Sequence, residues 1–297
     1  MTTVSLVLGS GGARGYAHIG IIEELEQRGY DIICVAGSSM GALIGGMYAA
    51  GGLETYRDWV LGLSGFDMVR LLDMALTRES IQDERLFQHL RGMIGDPQIE
   101  DLPLPYTAVA TDIGRQKEAW FQRGSLLSAM RASIAVPGIF TPYIHGNRVY
   151  VDGGLLNPLP IIPTVAAHAD LIIAVDLNSR EPGLARLAEP DDEYLSSKTL
   201  LDRWLYTVKN GFNGNGQKKE TTHTKGRFDL LWNSIEVTQA SLTQYKIAGY
   251  PPDLMIPIAH DLCHFFEFDL AKEVIEQGRQ AARQRLDLFE GKSAESS

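Results

Sequence analysis

The sequence predicts an α/β fold built on a mostly parallel sheet covered on both faces. Three observations carry that expectation. Apolar runs recur at residues 4–8, 31–36, 105–113 and 170–177, and continuous apolar strands belong to sheets buried on both sides. Helical stretches alternate with those runs. Glycine-rich turns stand at the first two strand-to-helix junctions, where a parallel crossover places its ligand loops.

The elements follow in order. Residues 4–8 read as a buried first strand. Gly9-Ser10-Gly11-Gly12-Ala13-Arg14-Gly15 follows, then a helix over 16–28 with Ile19, Ile22 and Leu25 on one face and Gly29 at its end. Residues 31–36 form the second strand and 42–50 a helix of small residues. Residues 53–95 read as mostly helical and long for one connection, an insertion placed to cover or shape a pocket. Its Met68, Met74 and Met93 read as ordinary packing. Residues 105–113 predict a strand that turns at Gly114-Arg115 and pairs back through 118–121. A helix over 125–135 stops at Pro137-Gly138. A hairpin over 143–151 turns at Gly146-Asn147 and leads into Asp152-Gly153-Gly154. A short helix over 161–168 precedes the buried strand 170–177. Residues 180–224 turn acidic and then Gly- and Asn-rich, which reads as surface with one helix near 200–208. A helix over 228–247, a strand over 252–258 and a closing helix over 270–286 complete the chain. The tail 290–297 reads as disordered. The organisation expected is one domain over 1–297, with a core at 4–178 and a C-terminal extension at 179–289.

Composition bounds the function. The chain has 297 residues, 44% hydrophobic and 22% charged, as expected of a soluble protein with a sizeable core. Its net charge is −10, from 27 basic and 37 acidic residues, which argues against nucleic acid and against electrostatic adhesion to anionic membranes. Brief hydrophobic contact with lipid stays open. Cys34 and Cys263 lie far apart in apolar surroundings and read as reduced core residues. The first residues, Met1-Thr2-Thr3-Val4, lack the basic region of a signal peptide, so the location expected is cytoplasmic, with peripheral contact at the inner membrane face allowed. No spacing of ligands suggests a metal, and none of the motifs demands a cofactor.

Ser39 is the candidate nucleophile. Gly37-Ser38-Ser39-Met40-Gly41 matches Gly-x-Ser-x-Gly, between a β-branched strand and a small-residue helix. That context is the nucleophile elbow, whose sharp turn needs small neighbours two residues away, here Gly37 and Gly41. Two other readings compete. Residues 32–53 carry no charge and space Gly37, Gly41 and Gly45 as packed membrane helices do. Ser39 also suits a helix cap.

The loop of residues 9–15 fails the dinucleotide pattern, because the glycines fall at 9, 11, 12 and 15 and no acid ends the second strand. A cradle of backbone N–H groups facing a nucleophile is the better reading, with a plain tight turn the bland one. A serine needs a base. His260 and His264, after the last strand, are the conventional candidates. Asp152 is the other, provided a dry pocket raises its pKa toward the working range; otherwise Asp152-Gly153-Gly154 is only a turn.

Together the stretches 9–15, 37–41 and 152–154 resemble the patatin-like phospholipase family, most closely its bacterial branch related to neuropathy target esterase. Ala110-Thr111-Asp112, residues 131–138 and Asn157-Pro158 are similar as well. Ser10 departs, standing where many relatives have glycine. The resemblance implies a three-layer α/β/α fold and a Ser39–Asp152 dyad without histidine. It implies oxyanion donors at Gly11, Gly12 and Ala13, and support from Gly37, Gly41, Gly153 and Gly154. Arg14 would either contact a substrate phosphate or brace the loop. The reaction implied is hydrolysis of lysophospholipid, phospholipid or simpler acyl esters through an acyl-serine, without metal or cofactor. The alternative is a weakly active lipid-sensing or regulatory protein that keeps the pocket.

Overall fold

β1 (Thr3–Leu8) is the pivot of the sheet, because it carries parallel neighbours on both edges: β2 (Asp31–Ser38) and β7 (Leu171–Ser179). β8 (Leu254–Ala259) extends the sheet beyond β7, and β3 (Tyr106–Asp112) extends it beyond β2, both in parallel. The remaining strands are antiparallel. β4 (Lys117–Phe121) and β6 (Arg148–Asp152) pair with β3, and β5 (Tyr143–His145) closes the edge on β6. A computed structural model of the chain describes residues 1–63, 83–180 and 227–291, and these hold a sheet of eight strands.

Alternation along β1 sorts the two faces. Val4, Leu6 and Leu8 join one large core with α1 (Ala17–Gln27), α2 (Met40–Ala49), α3 (Leu53–Gly62), α5 (Leu126–Ser133) and α7 (Ala271–Phe289). Leu90 of α4 (Asp83–Ile94) enters the same core. Val7 points the other way and packs with Leu159, Ile161 and Ala174, against which Ile247 of α6 (Arg227–Gly249) also lies. The arrangement is the three-layer α/β/α expected, with a thick helical layer on one side and a thin one on the other.

Most boundaries agree with expectation, and the differences have local causes. The predicted helix over 16–28 divides into a 3-10 turn, Gly12–Tyr16, and α1, since the turn carries the glycine loop into the helix. β2 runs on to Ser38 and α2 begins at Met40, so strand and helix abut at Ser39. The helix over 125–135 starts at Leu126 because Ser125 caps it, its Oγ accepting from Ser128 N at 3.0 Å. The helix over 161–168 is a 3-10 segment, Ile162–Ala167, with proline near its start. The membrane-span reading of 32–53 fails: that stretch is a strand and two helix segments. No helix among the described residues is long and apolar enough to cross a membrane. The expected helix near 200–208, Met68 and Met74 of the 53–95 insertion, and most of the tail at 290–297 lie outside the described residues.

α1 and α7 approach through two glycines. A Cβ at Gly20 would lie 2.0 Å from Ile275 O, and one at Gly278 would lie 2.1 Å from Ala17 O. Both contacts are backbone, so neither can yield by a side-chain rotation. In an open helix Gly→Ala stabilises by roughly 1 kcal/mol. At Gly92 of α4 nothing among the described residues lies within 4 Å of the added Cβ, and Gly92→Ala should raise the urea midpoint by about that free energy. Gly278→Ala should reverse the sign and cost about 1–3 kcal/mol as overpacking. Equal effects of the two substitutions in urea denaturation would contradict the packing described.

Candidate active site

β3 offers one edge to two strands in succession. Val35 to Ser38 of β2 pair with Tyr106 to Val109, and Asp152 to Tyr150 of β6 pair with Ala110 to Asp112. β4 occupies the opposite edge along Ala108 to Asp112. β2 and β6 therefore lie end to end, running toward each other, with Ser38 opposite Val109 and Asp152 opposite Ala110. The chain leaves β2 at Ser39 and leaves β6 at Gly153. Residues more than a hundred positions apart in sequence are thereby brought to one point of the sheet.

Ser39 occupies the sharp turn in the geometry of an elbow, with φ 55 and ψ −124, a region a β-carbon rarely tolerates. The surroundings hold it there. Ser39 N donates to Ser133 Oγ at 2.9 Å, and Ser133 Oγ donates to Val109 O at 2.6 Å. Ser39 O accepts from Ala42 N and Leu43 N, the first bonds of α2. Ser39 heads α2 without a side-chain cap bond, so the cap reading is set aside. A Cβ at Gly37 would lie 2.2 Å from Gly41 O, and one at Gly41 would lie 2.1 Å from Leu8 O. Any larger residue at either position would force strand and helix apart.

Asp152 is buried at the end of β6 and held from three sides. Its N–H donates to Ala135 O at 2.9 Å, its carbonyl accepts from Thr111 Oγ1 at 2.9 Å, and Oδ1 accepts from Gly154 N at 2.7 Å. Oδ2 is sealed from solvent and, among the described residues, makes no hydrogen bond of ordinary geometry. Burial raises the carboxyl pKa from 3.8 to about 6; the Ser39 hydroxyl and the Gly154 N–H offset part of that rise. Gly153 and Gly154 are required by close approach. A Cβ at 153 would meet Val109 O at 2.0 Å, and one at 154 would meet Gln239 Nε2 at 2.6 Å and Ser10 Oγ at 2.8 Å.

The glycine loop lies at the end of β1, beside the Ser39 turn. Gly9 N donates to Val175 O, Ser10 N to Pro158 O and Ala13 N to Phe265 O, the last at 2.9 Å. The Ala13 N–H is therefore committed to the chain itself, which removes it from the expected set of oxyanion donors. Gly11 and Gly12 remain as candidate donors. Gly12 has φ 57, and its Cα faces the Phe265 ring, which a Cβ would meet at 2.4 Å. The Ser10 backbone keeps its place in the loop, and its carbonyl accepts from Asn178 Nδ2 at 2.9 Å.

Arg14 resolves to one of its two expected roles. It is 2% exposed, and each end of its guanidinium is engaged. Nε donates to Gly11 O at 3.2 Å, Nη1 to His260 O at 2.6 Å and Nη2 to Glu236 Oε1 at 2.6 Å. Of the two expected roles, these partners favour the second, a guanidinium that braces the loop from behind. Three of the seven histidines bear on the choice of base. His18 is buried with Nε2 2.9 Å from Gly9 O, and burial pushes its pKa down to about 4. His260 Nδ1 lies 3.3 Å from Ser179 O, His264 is exposed, and neither bonds Ser39 among the described residues.

Ser133, Thr111, Glu236 and Phe265 support the site, and sequence reasoning gave none of them a role. Ser133 and Thr111 lie in stretches singled out for resemblance, which was the available signal. Glu236 and Phe265 carry no local signal, because their importance arises only where α6 and the loop after β8 meet residues 11–14.

A family model described as patatin-like phospholipase matches residues 6–165. An NTE family protein of Mycobacterium tuberculosis is 40% identical over 97% of this chain and 92% of its own length, and one from Mycobacterium bovis is equally similar. Patatin-like phospholipase domain-containing protein 6 of Mus musculus is 33% identical over 60% of this chain, which spans 14% of that longer protein. Fold, motif order and these likenesses agree, and the chain belongs to the patatin-like phospholipase family.

Proposed function

We propose that this chain hydrolyses fatty-acyl esters of lysophospholipids, phospholipids or related lipids through an acyl-enzyme on Ser39, with Asp152 as the general base. Family membership makes it a lipid ester hydrolase. One observation carries the finer reading: the elbow serine and a buried carboxylate with a free oxygen meet where β2 and β6 abut.

The chemistry follows from that placement. Asp152 takes the Ser39 proton as Oγ attacks the ester carbonyl carbon. The carbonyl oxygen becomes an oxyanion held by the N–H groups of Gly11 and Gly12, with the amino end of α2 adding favourable potential. The C–O bond to the alcohol breaks, and protonated Asp152 returns its proton to the leaving alkoxide. Water then gives a proton to Asp152 as its oxygen attacks the acyl carbon, the bond from that carbon to Ser39 Oγ breaks, Asp152 returns the proton to Oγ, and the fatty acid leaves. A carboxyl pKa of about 6 suits both steps better than an ordinary aspartate, because the group must accept and return a proton near neutrality.

Ser39→Ala should abolish turnover of a short-chain ester and labelling by a fluorophosphonate probe. Asp152→Asn should cut the turnover rate by roughly 10²–10⁴-fold. Labelling that persists in Ser39→Ala, or full turnover in Asp152→Asn, would remove the dyad.

The rate at limiting substrate should rise with pH through about 6 and then level, because only the carboxylate accepts the proton. Stability runs the other way. A carboxyl whose folded pKa lies above its unfolded value binds more protons when folded, so stability falls as pH rises from about 4 to about 6. Above that window the ionised, buried Asp152 costs at most about 3 kcal/mol. Asp152→Asn should therefore melt higher than the natural chain at pH 8, and the gain should shrink toward pH 4. A melting difference independent of pH would contradict this.

Glu236→Gln and Arg14→Lys should both lower kcat by about tenfold through a loosened loop, since a lysine cannot reach three acceptors at once. The loss should be the same for phosphate-bearing and phosphate-free esters. A rise in KM confined to the phosphate-bearing ester would return Arg14 to substrate contact.

A further inference from the structure

The turn that follows Asp152 is pinned at both of its ends from one face of the sheet. Glu118 of β4 pairs with Thr111 of β3, and directly opposed residues project to the same side. The Thr111 hydroxyl holds the start of the turn, through the Asp152 carbonyl at 2.9 Å. The Glu118 carboxylate holds its end, where Oε2 accepts from Asn157 Nδ2 at 2.8 Å. Between the two, Asn157 N donates to Gly153 O at 2.9 Å and Leu156 N donates to the same carbonyl at 3.2 Å. Asn157 is fully buried, and its Oδ1 makes no hydrogen bond of ordinary geometry among the described residues. Among those residues the amide therefore relies on Glu118 for its side-chain bond.

Three donors converge on Glu118 and fix it in turn. Besides Asn157, Trp120 Nε1 donates to Oε2 at 3.0 Å, and Lys246 of α6 donates to Oε1. Burial works against the charge, but the bonds from Lys246, Trp120 and Asn157 outweigh it and hold the carboxyl below its ordinary range. α6 carries this anchor to the other half of the site. Glu236 of the same helix bonds Arg14 of the glycine loop, and the Gln239 amide lies against Gly154. Pro158, next to Asn157, accepts from Ser10 N at 2.9 Å. A residue of a strand that lies off the main line of the sheet thus closes the set of contacts around the base turn.

We infer that Glu118 is a positioning residue: its bond to Asn157 fixes the far end of the 152–157 turn and so keeps the Asp152 carboxyl aligned on Ser39. The inference rests on the reading of Asp152 as the general base. Glu118 bonds neither member of the dyad and acts through the turn. Two consequences separate positioning from mere support. A loosened turn moves the carboxyl off the Ser39 hydroxyl, which lowers kcat and leaves KM. It also admits water to the carboxyl. Burial is the largest influence on that group, opposed by the Ser39 hydroxyl and the Gly154 N–H, and no charge among the described residues takes part. Hydration therefore moves its pKa down from about 6 toward the ordinary carboxylate range.

The test uses the full chain and a soluble short-chain ester. Glu118→Ala should lower kcat about 10-fold with KM nearly unchanged, and the rise of kcat/KM with pH should move down by about one unit. Asn157→Leu breaks the same bond from the other side. It should give the same two effects, and combining it with Glu118→Ala should add nothing. Glu118→Gln with Lys246→Met removes both charges but keeps an acceptor for Asn157, and should retain most of the natural kcat. A natural rate in Glu118→Ala, a rate loss with the pH dependence unmoved, or a charge-free pair as slow as Glu118→Ala would overturn the inference. If Glu118→Ala does not fold, Asn157→Leu decides by the same criteria. A second readout needs no turnover: the gain in melting temperature from Asp152→Asn at pH 8 should be smaller in the Asn157→Leu background than in the natural one. If that gain shrinks but the natural chain hydrolyses no ester, the hydrolase reading fails and the positioning of Asp152 stands. Natural turnover with an unchanged gain keeps the hydrolase reading and removes the role of Glu118.

Discussion

Everything in the site depends on the shared edge of β3. A strand edge offers one line of hydrogen-bonding groups, and here β2 takes the first half and β6 the second. Two strands on one line must stop where they meet. β2 stops by turning sharply into α2, and β6 stops by turning through two glycines. The meeting point is dry, because the sheet is covered around it. It collects the loose ends of two strands, which is where reactive side chains can stand free of ladder hydrogen bonds. Ser133 ties the arrangement together, since its hydroxyl joins Ser39 N to Val109 O at the junction.

That junction is costly, and the surroundings over-determine it. Ser39 holds a backbone conformation that glycine would adopt more readily, and Asp152 is a carboxyl buried with one oxygen unpartnered. Neither would persist in an isolated hairpin. Gly37 and Gly41 let β1, β2 and α2 close on one another, and Arg14 ties the glycine loop to α6 and to the end of β8. The guanidinium is well suited to that position. It is planar, always charged, and satisfies three acceptors on three segments while almost wholly buried.

Legibility in the sequence followed the range of the interactions. β1, β2, α2 and β7 were legible because apolar runs and small-residue spacing are local. The Ser39 elbow was legible for the same reason, since Gly37 and Gly41 answer clashes within its own turn and with the neighbouring strand. Asp152 was half legible: its turn shows locally, but the burial that lifts its pKa depends on β3 and on Ala135. Ala13 and Arg14 were legible only in part, because their partners, Phe265, His260 and Glu236, lie more than two hundred residues away. A loop N–H or a guanidinium in a sequence looks available until the fold shows what it already binds.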